Sequence, residues 1–285
     1  MVAPNLNKGL VPRGQTFHHG HRDNEFALEK AILLERLLGD VGSPLSLLKY
    51  QDQLQILDTG DRNEARVTAD KLSVGGIGFR DIDITADITN PVGANGLDVG
   101  SPTVNTSYHF FVIASTPIEN ISTLAGLFSL SATAPAIPLD FSFFRRVGWR
   151  RRNAAAQFYR SSNAPDSNLF TWNEDTTATD FRVLNVATSA LAFADVVASP
   201  VAPSTCRRIK VAGQIISVPN NLLNLYLREN GLSNAGQVPW LSVGNVMNGK
   251  RHGFVTLDAS QIFEYHTDNT LHDVIIDVIA YEDIR

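Results

Sequence analysis

Asp81-Ile-Asp-Ile-Thr-Ala-Asp-Ile-Thr89 sets Ile82, Ile84, Ala86 and Ile88 in strict alternation with Asp81, Asp83, Thr85, Asp87 and Thr89. Successive side chains of a strand point to opposite faces, so this spacing describes a strand with one apolar face and one wet face. An amphipathic helix would need its apolar residues three and four apart. Outward from this segment the same reading gives strands at 107–115, 126–131, 141–152, 157–160, 168–172 and 180–186. More follow at 207–218, 222–228, 253–258, 261–266 and 272–281. Asn90-Pro91, Asn95-Gly96, Ala164-Pro165-Asp166, Pro219-Asn220-Asn221, Asn230-Gly231 and Asn248-Gly249 supply turn chemistry between them. Many short strands separated by such turns predict an all-β fold, an antiparallel β-sandwich or jelly-roll-like domain over 60–285.

The chain has 285 residues, 44% hydrophobic and 19% charged, which suffices for a large core and does not describe a disordered chain. Its 24 basic and 29 acidic residues leave a formal charge of −5, with no general attraction to nucleic acid or an anionic membrane. Cys206 is the single cysteine, so an intrachain disulfide cannot form. The first residues lack the apolar run of a secretory signal, and no window reaches the roughly 18 apolar residues of a membrane span. A soluble protein without membrane insertion is expected.

Residues 1–40 read differently. After an extended arm, Asp23 can cap a helix that runs over 24–38 and stops at Gly39. Its apolar arc exceeds what one contact surface needs, so Phe26, Ala31, Leu34 and Leu38 are expected to line an anchoring or oligomerisation interface as well as, or in place of, packing on the chain's own domain. In a trimer, His19 and His21 of three chains could surround one metal ion; in a single chain they describe a solvated loop. Residues 41–59 read as a linker.

The signatures of catalysis are missing: no nucleophile elbow, phosphate-binding loop, HExxH helix or paired CxxC. Asp81, Asp83 and Asp87 share a strand face, and a glycosidase needs two carboxylates about 5–9 Å apart, but a solvated face explains them equally. Arg145, Arg146, Arg150, Arg151 and Arg152 surround Trp149, reading as a charged edge strand or a surface for acidic glycans. Tyr159, Trp172, Asn173, Glu174 and Trp240 fall in or near turns. Sugars stack on aromatic rings while amides and carboxylates take their hydroxyls, so these five are the candidate glycan-binding residues. The expectation is a non-enzymatic protein without catalytic residues or cofactor.

One stretch is more specific. Asn95-Gly-Leu-Asp-Val-Gly100 precedes the aromatic segment Tyr108–Ala114, then Thr123-Leu-Ala-Gly-Leu-Phe-Ser-Leu-Ser-Ala-Thr-Ala-Pro-Ala-Ile-Pro138 leads to Phe144-Arg-Arg-Val-Gly148. This order of turns and core positions resembles a module of phage tail-fibre, head-fibre and other virion appendage proteins, including the head spikes of gene transfer agents. The clear match covers Asn95 to Trp149. The resemblance implies a virion location, a homo-oligomer of three or more copies, contacts with capsid or tail proteins, and attachment to host surface polysaccharide. A polysaccharide-degrading enzyme of the particle and a purely structural head or collar decoration are the alternatives. Many weak sugar contacts on one particle would gain avidity of about 10²–10⁴.

Overall fold

The computed structural model describes residues 50–117, 122–187, 190–216, 223–233, 239–243, 248–270 and 273–283. The anchoring helix, with His19, His21, Phe26, Ala31, Leu34 and Leu38, lies outside the described residues. Among those residues the fold is all-β, in antiparallel sheets, with one 3-10 turn at Thr179–Phe181 and no α-helix. None of the described helices is long and apolar enough to cross a membrane.

The first sheet is built on β3 (Glu64–Val74). One edge of it carries β1 (Gln51–Asp52) and β2 (Gln55–Leu57), and the other carries β4 (Ile77–Asp87). Residues 51–57, expected in the linker, are therefore part of the sheet. The alternation that decided the fold holds along β4: Ile82, Ile84 and Ala86 are buried, while Asp81, Asp83 and Thr85 are exposed. Gly75 and Gly76, both at positive φ, form the two-residue turn between β3 and β4. A Cβ on Gly75 would also lie 2.5 Å from the Phe143 ring, so conformation and close packing both select glycine there.

The second sheet has the order β6 (Leu124–Ser129), β5 (Ser107–Ala114), β7 (Phe143–Arg151), and β5 is buried on both faces. Here the module around Asn95–Trp149 is one spatial unit. Asn95 Oδ1 accepts from Gly126 N at 2.8 Å, Leu97 bridges Phe128, and Asp98 Oδ2 accepts from Ala136 N at 3.1 Å. The Gly-Leu-Asp turn thus runs along the free edge of β6 and ties the following loop down.

The third sheet runs β15 (Asn248–Thr256), β12 (Cys206–Ile216), β17 (Asp273–Asp283), β9 (Leu169–Trp172), β8 (Ser161–Asn163), and β10 (Arg182–Val186) also pairs with β17. The fourth runs β11 (Ala194–Val197), β16 (Ile262–Thr267), β13 (Leu223–Glu229), β14 (Leu241–Val243). Residues 157–160, expected as a strand, are irregular, whereas β3, β11 and β14 were not among the expected strands. β3 turns the small Ala65 and Ala69 inward, which weakens its apolar signature. One continuous core joins residues of all four sheets, and a smaller cluster of Phe111, Ile113, Ala125 and Leu127 fills the far side of the second sheet.

The arginine-rich strand behaves unlike either expectation for it. Arg145, Arg150 and Arg152 are buried, at 9%, 2% and 4% exposure. Arg145 donates to the carbonyls of Tyr50 and Ser73 and to Gln51 Oε1, while Arg146 donates to Asp283. Arg150 donates to Ser161 Oγ and the Leu57 carbonyl, and Arg152 to the Ala156 carbonyl. Arg145, Arg146 and Arg150 clamp distant segments onto β7 and Arg152 closes the local turn at Ala156, which removes these four from a surface role as edge guards or glycan contacts.

Candidate functional site

Two of the five candidate glycan residues, Tyr159 and Trp172, converge, but with their rings turned inward. Tyr159 and Trp172 are each 5% exposed. They pack edge to face at 6.2 Å, with Phe181 4.9 Å from Tyr159 and Trp149 6.0 Å from Trp172. Burial, and then the Asp180 carboxylate that accepts its hydroxyl, push the Tyr159 phenol up. A ring enclosed by other rings offers no face to a sugar, so the assignment of Tyr159 and Trp172 as stacking platforms is corrected: they are core.

Glu174 is a latch. Its carboxylate pairs with Arg62 at 3.0 Å and accepts from the Arg160 backbone N at 2.9 Å, while the Arg160 side chain reaches Asp58 at 2.5 Å. Burial pushes the Asp58 carboxyl up, but the Gly60 N–H and Arg160 outweigh it and hold it below the usual range. The cleft beside Glu174, lined by Asp58, Arg62, Tyr159 and Arg160, has an open interior of about 10 Å³, room for one water-sized group and not for a sugar ring. Asn173 donates to Ser162 Oγ at 3.1 Å beside it.

Trp240 is half-buried against the inner side of the third sheet. A Cβ on Gly213 would lie 2.5 Å from its ring and one on Gly253 2.9 Å, so the two glycines make room for the indole. Arg251 stacks 5.7 Å from the ring centroid and donates to the Trp240 carbonyl. The residue closes the rim between the third and fourth sheets.

The arrangement sought in those five residues occurs instead on the outer face of the fourth sheet. Along β13 the period of two turns Leu223 and Leu225 into the core and Asn224, Tyr226 and Arg228 outward. On β16 it turns Phe263 and Tyr265 inward and Glu264 and His266 to the other face, where His266 is partly exposed and Glu264 is covered at 8% exposure. The register sets Tyr226 opposite His266 and Arg228 opposite Glu264. The Tyr226 and His266 rings lie parallel with centroids 4.3 Å apart, and Phe193 meets His266 edge-on at 4.2 Å. The Arg228 guanidinium sits 3.6 Å from the Phe193 ring centroid and donates to Glu264 Oε2 at 2.7 Å. On the other side of the rings, Asn224 donates to Asp268 Oδ2 at 2.6 Å and accepts from Ser242 Oγ at 2.6 Å.

The result is a partly exposed aromatic stack with a largely buried ion pair on one side, its side chains 12% and 11% exposed, and a more exposed amide–carboxylate–hydroxyl group on the other. Such a surface can meet the apolar face of a sugar with the solvent-facing parts of its rings and the hydroxyls with Asn224 and the exposed Asp268 and Ser242. Alternation alone marks Tyr226 and His266 as outward-facing. Their meeting depends on strand pairing, and Tyr226 and His266 are 40 residues apart in the chain (266 − 226). Among the described residues no group of three or more His, Cys, Asp or Glu side chains is placed to hold a metal ion. No protein-family model matches the chain, and no curated protein matches it.

Proposed function

We propose that the chain is a non-enzymatic appendage subunit of a phage-like particle, a fibre or spike component that attaches to host surface glycan through the outer face of the fourth sheet. In this reading the third and fourth sheets form the two layers of a sandwich. Residues 1–40 anchor or oligomerise the subunit, and several copies on one particle turn weak sugar contacts into avid attachment. The observation that carries the reading is the Tyr226–His266 stack with Asn224, Asp268, Arg228 and Glu264 around it. The Asn95–Trp149 resemblance supplies the particle.

Binding of the purified chain to host cells and to a glycan array tests it. Tyr226→Ala with His266→Ala should lower glycan binding about tenfold or more while leaving the thermal transition of the fold in place. Release of new reducing ends or unsaturated sugars from host polysaccharide would replace this reading with the depolymerase. Incorporation into particles without any glycan or cell binding would replace it with the decoration protein.

A further inference from the structure

The opposite outward surface, on the third sheet, carries a second half of the recognition problem. β12 turns Ile209, Val211 and Ile215 into the core, and β15 turns Val255 inward. Arg208, Lys210 and Gln214 therefore share the outer face with Lys250, His252, Phe254 and Thr256. The register pairs Lys210 with Phe254, Ala212 with His252 and Gln214 with Lys250. Phe254 is 41% exposed and stands on this face among polar and charged side chains. The Arg208 guanidinium stacks 4.5 Å from its centroid.

The fixed charge around this ring is positive. Arg208 meets Glu282 at 3.4 Å, with the two side chains 46% and 34% exposed, a contact that water largely screens. Lys210 has no carboxylate within 4 Å among the described residues. Lys250 is exposed, and the carboxylate that senses it is Asp175, which is held low first by hydrogen bonds from Thr177 and last by Lys250. Asp277, on the neighbouring strand, is buried and engaged by Arg182 at 3.0 Å. Lys210 and Lys250 lie about 13 Å apart along the strand direction, four residues at about 3.3 Å each. An extended anionic chain lying along β15 would meet Arg208, Phe254, Lys210 and Lys250 in turn.

We propose that the outer face of β12 and β15 binds acidic polysaccharide, with a sugar ring on Phe254 and carboxylates on Arg208, Lys210 and Lys250. This rests on the glycan-attachment reading and adds to it a second surface, with the chemical class of glycan that this surface takes. Charge complementarity selects the occupant, because the ring stands between cations that have little competing carboxylate. Nucleic acid fits less well: three cations within a chain of net charge −5 are few against one phosphate per nucleotide.

The full chain should be tested by biolayer interferometry against polygalacturonate, the same polymer with its carboxyls reduced to alcohols, dextran, and a single-stranded DNA oligonucleotide. The proposal expects salt-sensitive binding to polygalacturonate that drops about tenfold on carboxyl reduction. Phe254→Ala and the pair Lys210→Gln with Lys250→Gln should each weaken it about fivefold. All three sites are exposed or half-exposed, and circular dichroism checks that the variants fold. Equal binding to the acidic and reduced polymers would overturn the acidic class and leave glycan attachment standing. Failure to bind polygalacturonate would overturn this proposal, while binding to host cells and the glycan array decides glycan attachment separately. DNA binding lost in the same variants, without polygalacturonate binding, would assign the face to nucleic acid and overturn the proposal.

Discussion

The Arg146 guanidinium lies 2.7 Å from the Asp283 carboxylate, with the two side chains 10% and 0% exposed. Arg146 belongs to the second sheet and Asp283 to the third, so the pair ties these two sheets together. Thr205 Oγ1 donates to the same carboxylate at 2.5 Å. An ion pair removed from water this completely is stabilising only as a pair, because either partner alone is a desolvated charge.

Asp283→Ala should therefore cost about 3–5 kcal/mol of unfolding free energy in urea titrations, and Arg146→Ala a similar amount. The double replacement Arg146→Met with Asp283→Leu should recover most of that loss. Equal and additive losses in all three variants would show that the pair does not act as a unit.

His109 stands beside this pair, buried, with Nδ1 unpaired. Burial, and then the Arg146 charge, push its imidazole down to about 4 from an ordinary 6.5, with Asp283 opposing. The folded state thus holds the neutral ring, while the unfolded state takes up a proton below about 6.5. Stability is unaffected by this group above pH 6.5 and falls as pH drops from 6.5 towards 4, by on the order of 1 kcal/mol per pH unit. His109→Gln should flatten the pH dependence of denaturant midpoints across that window. An unchanged slope would remove His109 as its source.

Segment 51–57 depends on two side chains far along the chain. Asp166 accepts from the backbone N–H groups of Gln53 and Leu54 at 2.8 and 3.0 Å, and Asn163 Oδ1 accepts from Ile56 N at 2.7 Å. Asn163→Ala should cost about 1–3 kcal/mol, since it leaves the buried Ile56 amide unpaired. Hydrogen exchange should show the loss of protection concentrated at 53–57.

Gly213 and Trp240 are expected to couple. Gly213→Ala forces the indole away from the third sheet and should lower the melting temperature, at about 1–3 kcal/mol. In a Trp240→Leu background the same substitution should cost less than half as much, a difference that a double-mutant cycle reads directly.

Cys206 is fully buried, and burial pushes its thiol up to about 12. Ellman's reagent should leave it unmodified in the folded chain and react promptly in 6 M guanidinium, which also provides a probe of global unfolding.

The alternation at 81–89 and the glycine and asparagine turns determined by themselves that this chain forms antiparallel strands, because pleat period and turn conformation are properties of a few neighbouring residues. The small inward residues of β3 and the side-chain-bonded strands at 51–57 carried no such local mark. Nor could the sequence separate rings that meet solvent from rings that meet each other. Tyr159 and Trp172 sit near turns yet close the core, while Tyr226, His266 and Phe254 lie among ordinary strand residues, with Phe193 just before a strand, and are at least partly exposed. The arginines from 145 to 152 gave a pattern suited to a surface, and the fold spends them on buried carbonyls and Asp283. Which faces are covered depends on how four sheets stack, a matter of contacts between residues brought together from separate strands, some more than a hundred positions apart, and only the tertiary structure decides it.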